Sequence, residues 1–97
     1  MRENIVKIKS FQFALKVIRL TKELEDNREY ILSKQLLRSG TWIGALIKES
    51  EYAESKADFI HKLSISLKEA NETEYWLELL YHSNKIELET YNLINLS

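Results

Sequence analysis

The sequence predicts an all-α protein: an antiparallel, up-down four-helix bundle with a short fourth helix, in a single domain over residues 1–97. Three observations predict it. The chain has no proline and only two glycines, Gly40 and Gly44, so little interrupts a helix. Apolar residues recur every three or four positions rather than alternating, which is helical and not strand periodicity. Short polar stretches, Glu25–Glu29, a turn centred near Ala53, and Ser83–Lys85, divide the pattern into four.

Helix 1 is expected from about Asn4 to Glu25. Ile5, Ile8, Phe11, Leu15 and Ile18 form one apolar stripe, and Phe13, Val17, Leu20 and Leu24 a second. Two stripes imply burial on more than one side. Lys9, Lys16, Arg19 and Lys22 lie between them and are the candidate nucleic-acid contacts.

Helix 2 is expected from near Ser33, an N-cap residue type, to about Glu51. Ser39-Gly40-Thr41 places weak helix formers in its middle, where glycine costs roughly 1 kcal/mol against alanine. Gly40 and Gly44 stand one turn apart beside Ala45. Nothing nearby signals a turn, so the pair is read as a close helix–helix contact.

Ser55-Lys56-Ala57-Asp58 resembles a capping box, with Asp in place of Glu or Gln. Helix 3 follows, Lys56 to His82. Its heptad seam is Phe59, Leu63, Ser66, Ala70, Thr73, Leu77 and Leu80, narrow and slightly polar in the middle. Ile60, Ile65, Leu67, Trp76 and Leu79 flank it. Helix 4 begins near Ile86 with Leu88, Tyr91, Leu93, Ile94 and Leu96, about half the length of the others.

In the antiparallel hairpin of helices 2 and 3, Arg38 falls level with Glu69 and Glu49 with Asp58. Arg38–Glu69 is the candidate structural ion pair. It is expected to be buried, so that breaking it would cost about 3–5 kcal/mol. Glu72 and Glu74 are expected in solvent or at a subunit contact.

The formal charge of −1 hides an asymmetry: residues 1–40 carry nine Lys/Arg and five Asp/Glu, and residues 41–97 carry five and ten. Solvated helix faces of mixed sign are the ordinary explanation. A basic patch on helix 1 that meets phosphate is the sharper one.

Several chemistries find no support. There is no cysteine, hence no disulfide and no thiolate metal site. A di-iron bundle site needs two Glu-x-x-His motifs and two further Glu. The nearest match is Asp58-x-x-His61, present once, and His82 lies roughly 31 Å further along the same helix at 1.5 Å per residue. The Ser and Thr residues are accounted for as caps (Ser33, Ser55) or small packing residues (Ser39, Ser66, Thr73). No enzyme, cofactor or metal is expected. Trp42, Tyr75, Trp76 and Tyr81 are read as core or interface anchors. No apolar run approaches the ~18 residues of a membrane span, and Met1-Arg2-Glu3-Asn4 does not start a signal peptide. A cytoplasmic protein with no membrane partner is expected.

Some of these residues carry a resemblance: Lys9-Ser10-Phe11-Gln12-Phe13-Ala14, Ser33 to Thr41, Ile43-Gly44-Ala45, Asp58-Phe59, Lys62-Leu63, Lys68-Glu69-Ala70 and Glu72 to Leu77. Together the chain resembles the bacterial four helix bundle protein family. Its members include proteins encoded in intervening sequences of 23S rRNA genes, and the accessory protein of diversity-generating retroelements is a relative. The resemblance covers almost the whole chain. It implies a left-handed bundle and a homo-oligomer of five copies in a ring or barrel. In the retroelement relatives it implies binding of nucleic acid and a reverse transcriptase through a basic surface. Two departures stand out: Trp42 and Leu46 replace residues that tend to be Ser and Asn, and helix 4 ends early. The expected function is therefore a non-catalytic, self-assembling scaffold, the alternative being a nucleic-acid-binding accessory protein.

Overall fold

The computed structural model describes residues 2–94. It contains α1 (Arg2–Asp26), α2 (Tyr30–Ser50), α3 (Lys56–His82) and α4 (Leu88–Ile94), an all-α four-helix bundle with a short last helix. Leu96, the last residue of the expected helix-4 stripe, and the side chain of Leu93 lie outside what is described.

Helix 2 starts earlier than its sequence suggests. Ser33 is not the N-cap: it sits inside α2, almost fully buried, and its hydroxyl donates to the Thr21 carbonyl of α1 at 3.0 Å. The turn before it explains the difference. Arg28 takes the left-handed conformation (φ 64°). Its N–H reaches the Glu25 carbonyl at 2.9 Å and the Glu29 N–H reaches the Leu24 carbonyl at 2.8 Å. This is a Schellman ending, and it closes the helix so tightly that α2 follows at once. Asn84 (φ 62°) ends α3 in the same way, with Lys85 N–H to the Leu80 carbonyl at 2.8 Å. The two turns lie together, joined by Lys85 Nζ to Glu29 Oε1 at 3.5 Å.

The α3 cap forms at Ser55, whose Oγ accepts the Asp58 N–H at 3.0 Å. The Asp58 carboxylate reaches back to the Glu54 N–H at 3.2 Å, one residue short of the reciprocal bond of a full capping box.

α2 is the spine. It packs on α1 along one side and on α3 along the other, while no Cα of α1 comes within 8 Å of α3 among the described residues. α4 bridges α1 and α3 at one end, burying Ile94, with Ile86 of the preceding turn also buried, and stacking Tyr91 on Tyr81 with ring centroids 5.2 Å apart. The core combines Phe13, Val17, Leu20 and Leu24 of α1 with Leu36 and Ile43 of α2 and Leu77 and Leu80 of α3.

Small hydroxyl residues bring α2 and α3 together. The Ser66 hydroxyl donates to the Ile43 carbonyl at 2.9 Å, and the Ser39 and Thr73 hydroxyls bond at 2.9 Å. Thr73 Oγ1 also reaches the Glu69 carbonyl at 2.8 Å. Each hydroxyl is thus satisfied away from water, which removes the main cost of burying it. From Ser66 onward the expected α3 seam is buried except at the half-buried Ala70, but its first part opens: Phe59 is half-buried and Leu63 exposed.

Within the single chain the two α1 stripes separate: only the second is buried. Ile5, Ile8, Phe11, Leu15 and Ile18 all face solvent, Phe11 at 65% exposure against 0% for Val17. α2, with α4 at one end, covers one side of α1, and neither reaches the other.

Candidate functional site

Gly40 and Gly44 both lie against α1. A β-carbon on Gly40 would stand 2.9 Å from both Cγ atoms of Val17, and one on Gly44 would stand 3.3 Å from Ser10 Oγ. The missing side chains therefore set how near α1 and α2 approach.

Arg38 Nη1 reaches Glu69 Oε2 at 3.3 Å. The setting differs from the expected one, because the Arg38 side chain is 42% exposed. The pair lies on the surface and belongs with exposed ion pairs, worth under about 1 kcal/mol, not with buried ones. Glu72, expected in solvent or at a subunit contact, also binds Arg38. Its carboxylate further accepts the Trp76 indole N–H at 3.0 Å. The hairpin register accounts for this. Ser66 meets Ile43 and Thr73 meets Ser39, so α3 is slid by most of a turn from the expected alignment. Glu49 accordingly meets Lys62 at 3.9 Å and not Asp58.

Lys9, Lys16, Arg19 and Lys22 are all exposed along α1. None joins an ion pair among the described residues. Lys16 and Arg19 edge a shallow cavity of about 310 Å³ beside Thr90 and Ile94 of α4. Lys7 is differently placed. The Glu51 carboxylate, at 2.9 Å, raises its pKa above the usual lysine value, through the hydrogen bond first and its charge second.

The feature that the periodicity did not single out is a groove on the outside of the α1–α2 pair, about 730 Å³ in volume. Ile8, Phe11 and Leu15 form one wall, Thr41 and Ala45 the other, and Gly44 lies between them. The same small residue that lets α1 approach α2 leaves the groove deep. Its lining is mostly apolar, with Lys7 and Lys48 at the rim. No group of three or more metal-ligating side chains occurs among the described residues, and His61 and His82 are exposed. No helix among them is long and apolar enough to cross a membrane.

The comparisons with known proteins agree with this architecture. The family model described as 23S rRNA-intervening sequence protein matches residues 2–96. A crystal structure of a protein with unknown function from the S23 ribosomal protein family of Bacteroides thetaiotaomicron VPI-5482 superposes with a TM-score of 0.95. It is 55% identical, and the match covers 98% of this chain and 86% of that one. No curated protein matches. Matched along nearly its whole length in sequence and in fold, the chain belongs to the 23S rRNA-intervening sequence protein family.

Proposed function

We propose that this chain is a non-catalytic helical scaffold that assembles with copies of itself through the outer face of α1, in the five-fold ring its family resemblance implies. The observation that carries the reading is the exposed stripe Ile5, Ile8, Phe11, Leu15 and Ile18 beside the apolar groove. A continuous apolar face of that length on a soluble domain marks a protein contact. Hydroxyl usage supports the absence of catalysis, since Ser39, Ser66 and Thr73 are buried and spent on packing the helices.

Light scattering tests it. The wild-type protein is expected to elute as a multiple of its 11.5 kDa chain mass. Phe11→Asp is expected to shift it to the monomer mass with its helical circular dichroism intact. A wild-type monomer at micromolar concentration would overturn the reading.

A second reading, a nucleic-acid-binding accessory protein, rests on the four exposed cations of α1. Lys9 to Lys22 spans roughly 20 Å of helix at 1.5 Å per residue, a length that tracks several phosphates. Under this reading structured RNA shifts in a gel, and the shift weakens steeply as salt rises. A shift that persists after all four are changed to glutamine would rule it out.

A further inference from the structure

Two exposed faces of the protein carry the same order of chemistry. On α1, Ile8, Phe11 and Leu15 are followed by Arg19 and Lys22; on α3, Ile60, Leu63 and Leu67 are followed by Glu74 and Glu78. Every one of these residues is exposed, and none of the charged ones joins an ion pair among the described residues. Helical spacing keeps each set on one side of its helix. Both helices thus present an apolar half and then a charged half, basic on α1 and acidic on α3.

The two sets are also level with each other. α1 and α3 both run antiparallel to α2, so they point the same way. Gly44 lies against Ser10, and the residue before it on α2, Ile43, accepts the Ser66 hydroxyl at its carbonyl. Gly40 lies against Val17, and its neighbour Ser39 bonds to Thr73. Phe11 therefore stands at the height of Leu67, Lys22 at that of Glu78, and Arg19 between Glu74 and Glu78. Within one chain the faces cannot meet, because α2 holds α1 and α3 apart. A neighbouring copy related by rotation about an axis along the helices keeps every height and brings apolar to apolar and base to acid.

We infer that the α1 face of one copy docks side by side, in the same direction, on the α3 face of the next copy. The inference rests on the self-association reading and adds which surfaces meet. The contact is head-to-tail: each copy contributes two different faces, so the assembly closes as a ring or grows as a filament. The charges set direction and partner, since like charges brought together oppose a reversed or slipped contact.

Charge reversal tests it. Arg19→Glu with Lys22→Glu is expected to weaken association at least tenfold, as is Glu74→Lys with Glu78→Lys, with helical circular dichroism unchanged. All four changes in one chain restore it, because base and acid have merely exchanged sides. In an independent check, Leu15→Cys and Asn71→Cys in one chain, which has no other cysteine, should oxidise to a ladder of covalent multimers. An oligomeric wild type whose mass is indifferent to both reversals, or which gives no ladder, overturns the inference and leaves self-association standing. If the α1 reversal acts and the α3 reversal does not, the α1 face has another counterpart and the inference again fails. A monomeric wild type overturns both.

Discussion

Gly40→Leu is expected to destabilise the protein by about 3 kcal/mol or more, at or beyond the usual cost of overpacking. A β-carbon alone would meet both Cγ atoms of Val17 at 2.9 Å. Val17 is completely buried and β-branched, so it has little rotamer freedom with which to retreat. The remaining leucine atoms would force α1 away from α2. For a domain holding about 5–15 kcal/mol in total, that loss shows directly in a urea unfolding midpoint. Gly44→Leu is expected to cost less, about 1–3 kcal/mol. Its β-carbon stands 3.3 Å from Ser10 Oγ, and the outer groove gives the longer side chain an exit. An unchanged midpoint for Gly40→Leu would mean that α1 and α2 do not meet there.

Leu77→Ala is expected to cost about 2–5 kcal/mol, the range for removing a large core side chain and leaving a cavity. The middle of α3 is built of small residues: Ser66, Ala70 and Thr73. Leu77 and Leu80, 1% and 0% exposed, are its only large side chains among the core residues. Ile31→Ala is the control, since Ile31 is 77% exposed, lies on neither docking face, and its loss should change the unfolding free energy by no more than about 0.5 kcal/mol. A thermal or urea transition as stable for Leu77→Ala as for Ile31→Ala would contradict the buried seam.

The fold was legible because three- and four-residue spacing survives any choice of partner. It shows that a face is apolar, and says nothing about what covers it. The two stripes of α1 look alike in sequence, yet Val17 is buried and Phe11 is not. The difference lies in where α2 stands. Turn chemistry was partly legible. Ser55 capped as its type suggests. The left-handed positions fell to Arg28 and Asn84, where glycine would have announced itself, and so Ser33 was misplaced as a cap. The glycines were readable because glycine inside a helix needs a reason, and Val17 and Ser10 supply it. Arg38–Glu69 was located by hairpin symmetry, but symmetry carries no information on depth. Burial was assumed from apolar neighbours, and Glu72 was missed because a slip of most of a turn lay within the uncertainty of the turn.

The placement of α2 between α1 and α3 also bears on how the chain reaches this structure. Each long helix packs chiefly on the one next to it in sequence, so most tertiary contacts close only a short stretch of backbone. Proteins with such local topology fold on the order of microseconds to milliseconds, because little loop entropy is lost before contacts form. α4 is the exception, since it meets the C-terminal half of the first helix, far from it in sequence. α4 adds Ile94, and the turn before it Ile86, to the core that α1, α2 and α3 share, so its docking on α1 is the step that must close the longest stretch of chain.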